Sequence, residues 1–144
     1  MELIVKEILS NLDVNEKEIK NYNMLSLAFL GDAIHSLFVR EKLIEKANFK
    51  VNNLHKQATN FVKAKSQAYC LKILETQLTE REKQVVKTAR NTKTNNIAKN
   101  STIKEYKNAT AFESLLGYLA LEKNIERLNQ LLQKSYNIVC ENLL

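Results

Sequence analysis

The chain of 144 residues contains no proline, no tryptophan and only two glycines. Because proline and glycine are the strongest local breaks in secondary structure, their scarcity favours long helices over a turn-rich fold. No apolar run approaches the roughly 18 residues that a membrane-spanning helix requires. The N-terminal stretch MELIVKEILSNLD carries charges within its apolar pattern and lacks the small-residue cleavage site of a secretory signal. We therefore expect a cytoplasmic protein with no membrane segment.

Cysteine is also scarce. Cys70 and Cys140 stand alone, without the paired spacing of a zinc site. We expect both to be core or half-buried thiols in a reducing compartment. The sequence also lacks a P-loop, a G-x-G-x-x-G motif and an H-E-x-x-H motif, and neither cysteine has the neighbouring base that a nucleophilic thiol needs.

Apolar residues recur at spacings of three and four along almost the whole chain, and strand-like alternation is essentially absent. This pattern predicts an all-α fold, with residues 1–144 forming a single domain. Thr79 and Glu82 have the spacing of a capping box, and Asn53 is a candidate cap for a helix that begins at Leu54. The polar segment 91–102 is the best candidate for a loop. Helices are predicted near 2–11, 16–21, 24–46, 52–77, 79–91, 103–122 and 125–143.

Acidic residues are missing from one long stretch, residues 83–104. The stretch contains six basic residues, so it alone accounts for the net charge of +6. A basic surface of this kind favours a polyanionic partner, although its charge does not identify that partner. The alternative for any single lysine is a solvated position without a ligand.

Two carboxylates interrupt otherwise apolar helices. Asp32 is the only charged residue in 24–34, and Glu113 is the only one in 109–121. Burying an unpaired carboxylate costs several kcal/mol, so each needs a partner, a raised pKa or a cation. The plainer interpretation is that each acid is half-exposed, or pairs with an arginine elsewhere in the fold.

Both glycines of the chain lie in these same runs. Gly31 precedes Asp32, and Gly117 follows Glu113 by one helical turn. A glycine inside a helix costs about 1 kcal/mol relative to alanine, which is understandable if two helices approach closely there. Such an approach would bring the two carboxylates together, and all-oxygen ligands suit a hard cation such as Mg²⁺ or Mn²⁺.

Two motifs resemble those of the ribonuclease III superfamily. Residues 27–33 (LAFLGDA) resemble its signature helix, and residues 111–119 (AFESLLGYL) resemble its second catalytic helix. Three inner segments, 53–56, 64–68 and 90–93, are also similar to the Mini-ribonuclease III family, whose members lack a separate double-stranded-RNA-binding domain. The resemblance extends from about residue 22 to 122 and implies a single ribonuclease III-like catalytic domain.

The resemblance implies that Asp32 and Glu113 hold Mg²⁺, with Mn²⁺ as a substitute, for phosphodiester hydrolysis. It implies an endoribonuclease that cuts double-stranded RNA and leaves 5′-phosphate and 3′-hydroxyl ends. Two further acids of full-length ribonuclease III are replaced here by Ala28 and Thr110, as in Mini-ribonuclease III, which leaves the number of metal ions per site open. The family further implies a homodimer in which Phe29 inserts into the partner subunit; periodicity alone would make Phe29 an ordinary core residue.

Without an accessory domain, the catalytic domain itself must bind the RNA. We expect phosphate contacts from the acid-free stretch and from one family-like segment, because lysine and arginine supply most of such affinity. The family suggests precursor large-subunit (23S) ribosomal RNA as the target. The candidate RNA-binding residues are Lys65, Arg90, Lys93 and Lys99.

Two other kinds of protein are alternatives. One is a non-catalytic RNA-binding protein on the same fold, which the presence of both acids disfavours. The other is a helical module that binds DNA or protein, for which neither glycine has the placement of a helix-turn-helix. His35 and His55 could suggest metal-independent acid–base chemistry, but we expect them to have surface or packing roles.

Overall fold

The computed structural model of the protein describes residues 2–11, 21–46, 48, 50–93 and 102–144. In chain order these residues form α1 (Glu2–Ser10), α2 (Met24–Lys46), α3 (Val51–Val62), α4 (Ala64–Leu74), a 3₁₀ turn (Glu75–Gln77), α5 (Glu80–Arg90), α6 (Ile103–Leu121) and α7 (Ile125–Asn142). No strand occurs among them, which confirms the all-α prediction. The predicted helix at 16–21 lies almost entirely outside the described residues, as do residues 94–101 of the predicted loop.

Helix α6 forms the centre of the fold and packs against α2, α4 and α5. From Ala109 to Leu121 every residue of α6 is buried except Glu113. The other helices surround it, and their apolar faces merge into one hydrophobic core that includes Phe38, Phe112 and Leu131. Complete burial of such side chains contributes about 1.5–3 kcal/mol each. None of the helices in the described part of the chain is long and apolar enough to cross a membrane.

Capping residues set several helix limits. At α5, the Thr79 hydroxyl accepts from the Glu82 amide, and the Glu82 carboxylate accepts from the Thr79 amide, so the predicted capping box is confirmed. Thr102 and Glu105 form a second box at the start of α6. Each box satisfies two backbone N–H groups that have no partner within the helix.

The prediction of one helix over 52–77 is wrong, because the helix breaks at Lys63. Lys63 adopts an extended conformation (φ −65°, ψ 151°) and caps both α3 and α4. Its carbonyl accepts from the amides of Ser66 and Gln67, while the Ser66 hydroxyl donates to the Asn60 carbonyl at 2.6 Å. These bonds satisfy backbone groups on both sides of the break, so neither proline nor glycine is needed to make it.

The predicted cap at Asn53 is also wrong. Helix α3 begins at Val51, and the Asn53 amide already bonds to the Lys50 carbonyl within the first turn. The two cysteines agree with the prediction: Cys70 is buried, Cys140 is half-buried, and both are free thiols.

Candidate active site

Helices α2 and α6 cross with their backbones in contact, and both glycines lie at the crossing. A Cβ atom on Gly31 would lie 1.8 Å from the Glu113 carbonyl oxygen, and one on Gly117 would lie 2.0 Å from the Leu27 carbonyl oxygen. The buried Ser114 hydroxyl adds a hydrogen bond of 2.9 Å to the Met24 carbonyl. The close approach expected from the two glycines is therefore present, and no larger residue fits at either position.

The crossing brings Asp32 and Glu113 together. Asp32 is exposed and Glu113 is half-buried behind it. Burial, followed by the charge of Asp32 and a hydrogen bond to it, raises the pKa of Glu113 to about 9. A carboxyl with a pKa raised this far favours its protonated form at neutral pH, in which it can share the proton with Asp32. This is the usual outcome when two carboxylates are held in contact without a cation between them.

This pair of acids fits a divalent metal ion. It offers carboxylate oxygens, which Mg²⁺ and Mn²⁺ prefer, and one of the two groups is open to solvent. The described residues contain no group of three or more histidine, cysteine, aspartate or glutamate side chains that could hold a metal ion, so the protein would contribute these two acids alone. Two carboxylates leave most of the coordination sphere of Mg²⁺ to water and substrate, which is the common arrangement for this ion in phosphate chemistry.

Two further polar side chains are buried beside Glu113. Gln67 of α4 hydrogen-bonds to the Glu113 carboxyl and lowers its pKa, against the larger effect of burial. The Gln67 Nε2 atom also lies 3.0 Å from His35 Nδ1. The His35 ring packs edge-on against Phe112, with ring centroids 5.1 Å apart. His35 is thus buried, in line with one of the two roles expected from the sequence, and burial lowers its pKa to about 4.

A basic cleft of about 1030 Å³ opens between α4 and the start of α6. Six cationic and two acidic side chains line it, so its lining carries a net charge of +4. Ser66, next to Gln67 in sequence, and Asn108, five residues before Glu113, also line the cleft. The cationic residues are Lys63, Lys65, Lys72, Arg90, Lys104 and Lys107.

The candidate RNA-binding residues differ in their surroundings. Lys65 is exposed at the cleft, and Lys93 is exposed just after α5. Arg90 also lines the cleft, but its guanidinium bonds to the Asn108 side chain at 2.7 Å and forms an ion pair with Glu75. Lys99 lies outside the described residues. Arg90 therefore joins α5 to its neighbours, which leaves Lys65 and Lys93 freer to reach a ligand.

Comparison with known proteins indicates the family of this chain. Residues 25–124 match the model of the ribonuclease III domain. The chain is 40% identical to the Mini-ribonuclease 3 of Thermoanaerobacter sp. (strain X514), covering 98% of this chain and all of that protein. It is 49% identical to the Mini-ribonuclease 3 of Brevibacillus brevis, covering 81% and 87% of the two chains.

The chain belongs to the Mini-ribonuclease III family. A solved structure, protein FN1578 from Fusobacterium nucleatum, is similar to it with a TM-score of 0.76 and 35% identity, covering 88% of this chain and 98% of that one. The ribonuclease III-like fold expected from the two motifs is confirmed.

Phe29 is not a core residue of the monomer. Its side chain is 83% exposed, on the same face of α2 as Leu25 (37% exposed) and Leu37 (42% exposed). Residues four apart on a helix share a face, so Leu25, Phe29, Ala33 and Leu37 form one exposed apolar stripe. A contiguous apolar stripe of this kind is characteristic of an interaction surface.

Sequence reasoning assigned no role to Gln67. It occurs in a segment that resembles the Mini-ribonuclease III family, yet a glutamine near the apolar stripe of a helix carries no signal of its own. Its burial depends on the break at Lys63, which the sequence does not reveal. His35 could be connected to the site only through its spacing of one turn from Asp32.

Proposed function

We propose that this protein is a metal-dependent endoribonuclease that cuts double-stranded RNA, with Asp32 and Glu113 as the metal-binding catalytic residues. One observation carries the proposal: Asp32 and Glu113, the only charged residues of the apolar runs 24–34 and 109–121, meet where their helices cross. Protein structures rarely retain a carboxylate pair that must share a proton unless the pair serves a function. The Mini-ribonuclease III relatives, whose name describes a ribonuclease, support the same activity.

The two acids have complementary surroundings. Asp32 is exposed, so it can directly contact a metal ion that also binds the substrate phosphate. Glu113 is half-buried and accepts a hydrogen bond from Gln67. When bound, Mg²⁺ or Mn²⁺ would orient and acidify the attacking water and stabilise charge on the phosphoryl oxygens. Glu113 must give up its proton to bind the ion, and the hydrogen bond from Gln67 favours that charged form.

The basic cleft is the proposed site for RNA backbone phosphates. Lys65 is exposed there, and Arg90 and Lys93 extend positive charge towards the end of α5; Lys99 completes the proposed set. Each phosphate that a lysine neutralises releases a bound counterion, so binding should weaken steeply with salt. Duplex RNA is recognised mainly through phosphates and 2′-hydroxyl groups, which suits a surface of lysines and asparagines.

We also propose that the active protein is a homodimer formed through the stripe around Phe29. The stripe is apolar and exposed, and Asp32 follows Phe29 by one helical turn, so pairing would set two acid pairs beside one interface. Two such sites could cut opposite strands of one duplex.

Several finer properties belong to the same proposal. The products would have 5′-phosphate and 3′-hydroxyl ends, and residues 1–144 would act as one catalytic domain. Precursor 23S ribosomal RNA is the proposed physiological target. The cytoplasm is the proposed location, since both cysteines are free thiols, as is usual in reducing compartments.

The test is cleavage of a long RNA duplex by wild type, Asp32→Asn and Glu113→Gln, in the presence of Mg²⁺ or EDTA. We expect cleavage that requires the metal, spares single-stranded RNA and duplex DNA, and is lost in both variants. Glu80→Gln is the matched control, because its carboxylate is exposed at the start of α5 and forms a surface ion pair with Lys83.

A wild-type protein that binds duplex RNA but cuts none with Mg²⁺ or Mn²⁺ would refute the nuclease. The alternative, a non-catalytic RNA-binding protein, would then stand. Cleavage that persists in both variants would show that the site is elsewhere.

A further inference from the structure

Gln67 is buried at the site, with 2% of its surface accessible. It contacts one residue from each helix of the crossing: His35 of α2, at 3.0 Å, and Glu113 of α6. His35 is one helical turn from Asp32, and Phe112, which packs on the His35 ring, precedes Glu113. A single amide on a third helix therefore links the parts of α2 and α6 that carry the two acids.

The partners of Gln67 determine which way its amide points. An amide has one donor end, the nitrogen with its two hydrogens, and one acceptor end. A carboxylate at Glu113 accepts only, and the neutral His35 ring accepts at Nδ1 when its proton is on Nε2. The nitrogen can satisfy both neighbours at once, whereas the reversed amide would place its oxygen against the carboxylate.

We propose that Gln67 is a positioning residue, whose amide is fixed by His35 and in turn orients the Glu113 carboxylate for the metal ion. This inference rests on the proposed metal-binding role of Asp32 and Glu113. Side chains that hydrogen-bond to metal ligands commonly have this effect, because they hold the ligand in the rotamer that the ion requires. His35 acts only through Gln67 and needs no proton transfer.

A purely structural role for Gln67 and His35 predicts a different effect of substitution on metal affinity. If Gln67 and His35 only filled space between α2, α4 and α6, apolar side chains of similar size would replace them without affecting the metal. Replacing both partners of a buried hydrogen bond by apolar groups is often nearly neutral for stability. Measurements of stability and of metal affinity therefore distinguish a positioning role from a packing role.

The test uses Gln67→Met, which keeps the length of the side chain and removes its donor. Binding of Mn²⁺ alone, without RNA, is measured by electron paramagnetic resonance, and kcat and KM are measured on duplex RNA. We expect Mn²⁺ affinity and kcat each to fall on the order of 10–100-fold. KM should stay within about twofold, because the RNA-binding cleft is unchanged. Gln84→Met, the same exchange at an exposed position of α5, should leave all three values unchanged.

The double variant His35→Leu/Gln67→Met guards against loss of folding, because it leaves neither member of the pair unsatisfied. We expect it to unfold near the wild-type temperature yet bind Mn²⁺ as weakly as Gln67→Met. His35→Leu alone should have a smaller effect, since the amide remains but is no longer fixed, and the two single effects should not add.

Asp32→Asn separates this inference from the proposed function. If Asp32→Asn weakens Mn²⁺ binding but Gln67→Met and the double variant do not, Gln67 is a packing residue and the metal site stands. If Asp32→Asn itself leaves Mn²⁺ binding unchanged, the proposed metal site and the role of Gln67 both fall.

Discussion

The contact between Gly31 and the α6 backbone makes Gly31→Ala the sharpest single test of the helix crossing. The added methyl group would lie 1.8 Å from the Glu113 carbonyl oxygen, 2.7 Å from its carbonyl carbon and 3.1 Å from its Cα. Ordinary contact begins near 3.4 Å, so the helices must separate by roughly 1.5 Å at this point. All three atoms belong to the backbone of a buried helix, so no side chain can rotate away to make room.

The expected loss of stability follows from two opposing effects. Overpacking of a closed core typically costs about 1–3 kcal/mol, and more where backbone must move. Alanine returns about 1 kcal/mol through its better helix propensity. Because backbone must move here, the cost should lie at or above the upper end of that range. We therefore expect Gly31→Ala to lower the free energy of unfolding by about 2 kcal/mol or more, which for a chain of this size lowers the melting temperature by about 6–8 °C or more.

The rate of RNA cleavage by Gly31→Ala should fall by more than the loss of folded protein can explain. The atoms displaced belong to Glu113 itself, and a misplacement of about 1 Å in a catalytic group can reduce the rate on the order of 100-fold. Thermal unfolding followed by circular dichroism measures the stability, and duplex cleavage at a temperature where the variant is fully folded measures the activity. An alanine variant as stable and as active as wild type would refute the close crossing.

Further predictions address separate parts of the molecule. Glu113 has a pKa of about 9 when folded and an ordinary value of 4.5, so the folded state retains a proton that the unfolded chain releases. Without metal, the free energy of unfolding should therefore fall between pH 5 and 8 by up to about 1.4 kcal/mol per pH unit. Glu113→Gln should remove this slope in denaturant titrations at several pH values. An unchanged slope in the variant would contradict the raised pKa. Arg127 donates two hydrogen bonds, of 2.9 and 3.0 Å, to the buried Glu82 carboxylate. Arg127→Met should lower the free energy of unfolding by about 3–5 kcal/mol. Lys83→Met, at an exposed position, should lower it by less than about 1 kcal/mol. Lys65→Gln should weaken RNA binding and reduce the salt slope by about one; Lys123→Gln, at the opposite end of α6 from the cleft, should do neither. In sedimentation experiments Phe29→Ser should be monomeric at concentrations where wild type and Ile8→Ser, another exposed apolar site, are dimeric; a dimeric Phe29→Ser would place the interface elsewhere.

The acid pair could be predicted because it violates an otherwise consistent pattern. A charge in an apolar helix needs an explanation, and a glycine within one turn of each charge suggested that the two helices touch. The start of α5 was predictable for a similar reason, since Thr79 and Glu82 satisfy backbone groups over only three residues. Local rules were sufficient in both cases.

Contacts between distant segments were not predictable in this way. Lys63 ends α3 through hydrogen bonds that any residue type could provide, so its sequence resembles the interior of a helix. Gln67 becomes a buried partner of Glu113 only after that break has set the direction of α4. Arg90 similarly looks like a free cation in sequence, and only the fold brings Asn108 and Glu75 to its guanidinium.

The geometry of α2 explains why the acids, the crossing and the apolar stripe occur together. Successive residues of a helix are rotated by about 100°, so Asp32 lies about 100° from Gly31 and about 60° from Phe29 around the axis. Gly31 faces α6, and Phe29 faces solvent at the exposed stripe. Asp32 must then lie along the edge between these two faces, where it can contact Glu113 while remaining exposed. A partner subunit covering the stripe would border the acid pair without burying it, so dimer formation and access of RNA to the proposed metal site are compatible on one helix.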